Sequence, residues 1–181
     1  IFGQGSRVDV GALTTSSLNM TNESFLSGNY LFERVGGAGE LVNAGSINAD
    51  KGFVAFVGPL IKNSGEIQAA DGSVLAAAGD RVRLSIAGKK LIGYAIEKSS
   101  LEALIENSGA IAAPNGAVFL SASAADQLAR TVVNNTGVIE ARGVSEVGGR
   151  ILLDADGGNV RNSGVLDASS DTSTGGRVEV T

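Results

Sequence analysis

Seven residues recur in order five times along this chain, and that recurrence leaves few folds open. Asn43-Ala44-Gly45-Ser46-Ile47-Asn48-Ala49 returns as Asn63 to Ala69, Asn107 to Ala113, Asn135 to Ala141 and Asn162 to Ala168. The pattern is Asn, a small residue, Gly, any residue, an aliphatic, any residue, Ala. Each copy runs on to a glycine, at Gly52, Gly72, Gly116, Gly149 and Gly176. An alternating apolar pair follows: Val54/Phe56, Val74/Ala76, Val118/Leu120, Ile151/Leu153 and Val178/Val180. An aliphatic also sits two residues before each Asn, at Leu41, Ile61, Ile105, Val133 and Val160. Period-2 alternation puts one set of side chains on one face of short strands.

Such a unit cannot bury its apolar face alone, so the copies must stack. The first two asparagines are 20 residues apart, a fitting circumference for one β-helix coil. Stacking at ~4.8 Å would pair neighbouring coils in parallel and line their inward residues into one core. In that arrangement Asn43, Asn63, Asn107, Asn135 and Asn162 form a structural ladder, each amide bonding to its equivalents above and below. A row of ligand-binding amides is the competing reading. The glycine two residues on supplies conformational freedom for the turn.

The irregularities carry information too. Asn and strand glycine are 9 residues apart in three copies and 14 in the last two. The extra residues, around Arg142 to Val147 and Ser169 to Thr174, should loop out at one corner, where solenoids place recognition. A longer interruption begins at Arg81. Arg81 to Ile86 alternates as a strand, Ala87-Gly88-Lys89-Lys90 reads as a turn, and Leu91 to Ile96 as a return strand: a hairpin outside the helix. Ser99-Ser100-Leu101-Glu102 has the pattern of a capping box opening a short helix, as does Ser123-Ala124-Ala125-Asp126 before Gln127 to Arg130. One core suffices for this plan. It predicts a single domain over 1–181, with capping strands at 1–40, regular coils at 41–80, hairpin and short helix at 81–106, and further coils at 107–181.

Composition removes several functions. There is no Cys and no His, which excludes disulfides, thiolate metal sites, a Ser-His-Asp triad and a histidine base. A net charge of −5 with eight aromatic residues fits nucleic acid poorly. No apolar run approaches the ~20 residues of a membrane-spanning helix. The first ten residues carry no signal-peptide pattern, and the chain reads as a piece of a longer protein.

Several segments resemble a known family. They are Ile1 to Leu13, Thr14-Thr15-Ser16, the Asn-rich stretch Leu18 to Phe25, Gly79-Asp80-Arg81-Val82 with its hairpin, Ala103 to Gly109, and Leu120 to Gly137. Together with five ordered repeats they resemble the N-terminal secretion domain of two-partner secretion exoproteins, the family of filamentous haemagglutinin, high-molecular-weight adhesins and secreted haemolysins. The resemblance implies an all-β, right-handed parallel β-helix with an extra-helical hairpin and short helical turns. It implies a module of a large surface adhesin, recognised by an outer-membrane transporter, a barrel with periplasmic polypeptide-transport domains, and nucleating β-helix folding during export. It also implies a secreted or cell-surface location reached through the periplasm. An Asn-Pro-x-Gly element usual in the family is absent from this sequence. A haemolysin or a contact-dependent toxin is the alternative identity for the full-length protein.

Asp154, Asp156, Asp167 and Asp171 are the densest acidic stretch, and Asp154-Ala155-Asp156-Gly157-Gly158 has a faint likeness to a calcium loop. The bidentate Glu of an EF-hand is missing, so no metal, cofactor or catalytic residue is assigned, and the chain reads as not an enzyme. A module binding a host glycan or matrix polysaccharide is the rival reading. Lys89 and Lys90 at the hairpin tip, with Tyr94, are its exposed candidates. Neither nucleic acid nor membrane insertion is expected, and the chain is expected to be a monomer.

Overall fold

The protein is described by a computed structural model covering residues 1–125, 130–143, 149–172 and 174–181. Six coils stack into a parallel β-helix with three sheets as faces. The first face holds strands Glu40–Asn43, Leu60–Asn63, Leu104–Asn107, Thr131–Asn135 and Asn159–Asn162. In it Leu41, Ile61, Ile105, Val133 and Val160 align in register, as do the five repeat asparagines. Phe2 bridges to Asn43 and occupies that position in the first coil.

The second face aligns Val8, Ile47, Ile67, Ile111, Ile139 and Leu166 on strands that begin at Arg7–Asp9 and end at Val165–Asp167. The third runs from Leu13–Ser16 to Arg177–Val180 and aligns Leu13, Val54, Val74, Val118, Ile151 and Val178. All inward columns meet in one core. Burying each Ile, Val or Leu there contributes roughly 1.5–3 kcal/mol.

The corner between the second and third faces is built identically in each regular coil. Gly52, Gly72 and Gly116 donate their N–H to the carbonyls of Ala49, Ala69 and Ala113. The residue before each glycine, Lys51, Asp71 or Asn115, is left-handed, at φ 56, 54 and 57°. In the two long copies the same bond survives: Gly149 N–H reaches Ala141 O, and Gly176 N–H reaches Ala168 O. The additional residues are therefore inserted within the turn, between a conserved pair of hydrogen-bonding partners. Residues 144–148 and 173 of those insertions lie outside the described residues.

Outside the helix, Tyr30–Glu33, Arg81–Ala87 and Lys90–Lys98 form a three-stranded antiparallel sheet, with Arg81–Ala87 in the middle. The hairpin is as the alternation predicts; the third strand, from the N-terminal insertion, is not in that reading. This sheet covers the outer side of the third face. There Phe53, Ala55, Val57, Leu75 and Ala77 pack against Phe32, Val82 and Leu84. The expectation that one core suffices is thus corrected. The run Phe53-Val54-Ala55-Phe56-Val57 is apolar on both faces because it is buried on both sides.

The helical turns also differ in place. The described α-helix is Asn22–Leu26, where Thr21 caps by accepting from Ser24 N–H at 3.1 Å. Ser99 to Glu102 forms a turn instead of a helix: Ser100 pairs with the fourth coil at Ala124, and its hydroxyl accepts from Glu102 N–H at 3.2 Å. A strand pairing at Ser100 takes the backbone that the helix would need. The expected helix over Gln127 to Arg130 falls mainly outside the described residues.

Candidate functional site

The repeat asparagines occupy the corner between the first and second faces. Asn43, Asn63, Asn107 and Asn135 are buried, and Asn162 is exposed. Each Nδ2 donates to the Oδ1 of the next coil: Asn43 to Asn63 at 2.8 Å, Asn63 to Asn107 at 2.8 Å, Asn107 to Asn135 at 2.7 Å, and Asn135 to Asn162 at 2.7 Å. The row therefore has a direction. At its start, Asn43 Oδ1 accepts from Gly45 N–H, and at its end Asn162 Nδ2 donates to Gly164 O at 3.3 Å.

Glycine at the second position after each Asn is sterically required. A Cβ on Gly65, Gly109, Gly137 or Gly164 would fall well under 3 Å from the carbonyl oxygen of the glycine one coil earlier. Gly45, Gly65 and Gly109 line a groove together with Ser6, Arg7, Ser46, Ser64 and Glu66.

Strands Asn159–Asn162, Val165–Asp167 and Arg177–Val180 each end their sheet. Val165, Val178 and Val180 are 53, 43 and 54% exposed.

Lys89, Lys90 and Tyr94 do not converge on an exposed surface. The Lys89 side chain lies across the first coil, with Nζ 3.0 Å from where a Gly11 Cβ would sit. Lys90 instead borders Asp71, Gly72 and Asn115 on later coils. Tyr94 is corrected from an exposed platform to a packed residue. Its ring meets Phe119 at 5.6 Å, and its hydroxyl and that of Ser121 are 2.6 Å apart. Burial pushes the Tyr94 phenol above its ordinary value, and the nearby Asp154 carboxylate adds to this. The reason is position: Tyr94, like Leu91 and Ile96 on the same strand, packs against the second core.

Asp154 and Asp156 lie on the outer side of the third face, where they accept from Thr181 Oγ1 and Ser123 Oγ at 2.9 and 2.8 Å. Asp167 and Asp171 flank Arg142 elsewhere. Among the described residues no three acidic side chains gather in a way that could hold a metal ion.

The profile of the TPS secretion domain matches residues 1–168. This chain belongs to that family. TPS exoproteins cross the periplasm and the outer membrane to reach the cell surface or medium, and the domain implies an outer-membrane transporter as partner. Similar proteins include a heme/hemopexin-binding protein of Haemophilus influenzae, 30% identical over 171 residues, 90% of this chain and 18% of that protein. A second heme/hemopexin-binding protein of Haemophilus influenzae is 35% identical over 71 residues, 39% of this chain and 7% of that one. The TPS domain here thus spans less than a fifth of these relatives. The crystal structure of the HMW1 secretion domain from Haemophilus influenzae shares its fold, with a TM-score of 0.70 at 24% identity, over 98% of this chain and 53% of that one.

Proposed function

We propose that this TPS domain is recognised by its outer-membrane transporter and nucleates β-helix folding of a large surface adhesin during export, with no catalytic role. The observation that carries this reading is the register between successive coils. Each coil pairs its strands, its aliphatic column and its repeat asparagine with those of the coil before it. A newly emerged segment with the same repeat can add one coil at a time, gaining backbone pairing, apolar burial and one amide bond at each step. In one-dimensional assemblies of this kind a preformed end removes the cost of nucleation. Asn43, Asn63, Asn107, Asn135 and Asn162 serve in this reading as structural register marks.

The test is export of the full-length exoprotein in cells with and without the cognate transporter. Release that requires the transporter supports the reading. Release without it, or retention in both cases with a protease-resistant domain in the periplasm, overturns it.

A further inference from the structure

The strands of the third face differ in what they turn outward. One outward column reads Thr14, Ala55, Leu75, Phe119, Leu152 and Glu179 from the first coil to the sixth. The next reads Ser16, Val57, Ala77, Ser121 and Asp154. Both columns are wholly apolar only at the second and third coils. There Phe53, Ala55, Val57, Leu75 and Ala77 are buried, and Phe32, Val82 and Leu84 of the extra-helical sheet are what they pack against. The inner side of the same two strands gives Val54, Phe56, Val74, Ala76 and Ala78 to the central core. On this face the second and third coils therefore bury as many side chains outside the helix as inside it, and coil stacking alone secures only the inner set.

The covering sheet is assembled from two distant pieces. Tyr30–Glu33 has Arg81–Ala87 as its one neighbouring strand among the described residues. The insertion between the first and second coils thus lacks its strand partner until residues 81–84 join it. Arg34 closes the joint. Its N–H donates to Asp80 O at 2.8 Å, and its guanidinium pairs with the Asp80 carboxylate at 3.2 Å and with Glu102 at 2.8 Å. Asp80 and Glu102 stand at the two ends of the second insertion. Beside them, Ser100 N–H donates to Ser123 O on the fourth coil at 2.9 Å. One cation therefore ties the first insertion to the place where the hairpin leaves the third coil and to the place where the chain returns.

We infer that the extra-helical sheet is a strap that makes residues 1–103 fold as one cooperative block, on which the later coils then stack singly. Resting on the nucleating role proposed above, this block is the nucleus. Without the strap, the first three coils are at the lower limit of repeat number for a stable solenoid, and their outer apolar face stays in water. Without the coils, the hairpin 81–98 is marginal by itself and Tyr30–Glu33 has no apolar face to rest on. Each part stabilises the other, which is what makes a single folding unit. The later coils turn Ser121, Asp154 and Glu179 outward on the third face and add without such a cover.

The experiment is pulse-labelled hydrogen exchange during refolding of the intact chain from urea. Three amides report the third coil stacking on the second: Gly58 donates to Ala77 O, Glu66 to Gly45 O and Ser73 to Gly52 O. Two report the strap: Arg34 donates to Asp80 O and Asp80 to Lys98 O. Two report the fifth coil stacking on the fourth: Val138 donates to Gly109 O and Arg150 to Gly116 O. The expected result is one shared rate of protection for the first five, with Val138 and Arg150 following. Leu84→Ala should slow those five about tenfold or more, while Leu153→Ala, in the inner core of the fifth coil, should leave their rate within about twofold. Protection of Gly58, Glu66 and Ser73 before or after Arg34 and Asp80 would overturn the block. So would a single rate for all seven amides, earlier protection of Val138 and Arg150, or an unchanged rate in Leu84→Ala. If Leu84→Ala does not fold, the order of protection in the unsubstituted chain decides. No transporter is present in this measurement, so its failure is separate from a failure of transporter-dependent export.

Discussion

Asn107 donates from Nδ2 to Asn135 Oδ1 at 2.7 Å although 28 residues separate them. The same amide accepts from Asn63 at 2.8 Å, so Asn107 is an interior link with both functions engaged. In a dry corner such linked amides polarise one another, and removing one strands both neighbours.

Asn107→Ala should therefore cost about 1–3 kcal/mol, through a buried donor on Asn63 and a buried acceptor on Asn135 left unpaired. Asn162→Ala, at the exposed end, should cost less than about 0.5 kcal/mol. Urea titration of both variants checks this, and equal shifts in midpoint would contradict the ladder.

Gly109→Ala should be worse than either asparagine change. Its Cβ would overlap the Gly65 carbonyl oxygen, backbone that cannot yield without separating two coils. The expectation is a loss of about 3 kcal/mol or more, or failure to fold. Gly37→Ala, with nothing within 4 Å of its Cβ, is the control and should be near neutral in a thermal melt.

Leu84 is 2% exposed and lies in the outer core, between the extra-helical sheet and the third face. Leu84→Ala should destabilise by about 2–5 kcal/mol. Because the sheet is added to the helix from outside, limited proteolysis should cut first within 81–98. Cleavage first in the coils would show that the outer core is not what holds the sheet down.

Tyr94 gives an alkaline signature. Its folded phenol is raised above the ordinary value, chiefly by burial. The unfolded chain thus releases that proton first, and the folded state holds more protons across the interval. The contribution is fully present below the unfolded value near 10 and is lost as pH rises through the folded one. Tyr94→Phe should flatten the decline in melting temperature above about pH 10, and an unchanged decline would assign it to other groups.

The coils were legible in the sequence because one residue column makes one kind of contact in every turn. Ile47, Ile67, Ile111 and Ile139 meet the same neighbours, so each copy repeats the same choice. The hairpin was legible for a similar reason, since Arg81 to Ile86 and Leu91 to Ile96 are adjacent segments joined by a turn. Tyr30–Glu33 was not, because its pairing with Arg81–Leu84 joins segments about 50 residues apart with no periodic mark. Tyr94 was misplaced for the same reason: what covers it is set by Phe119 and Ser121, two coil faces away in sequence.

By itself the sequence determined that this chain is a stacked β-helix with asparagine and glycine at fixed corners, because period and steric size are local properties. Only the tertiary structure decided which outer face is buried twice and which way the amide row points. Those depend on where the extra-helical sheet lies against the coils: it covers Phe53, Leu75 and Phe119 and stops before Asp154.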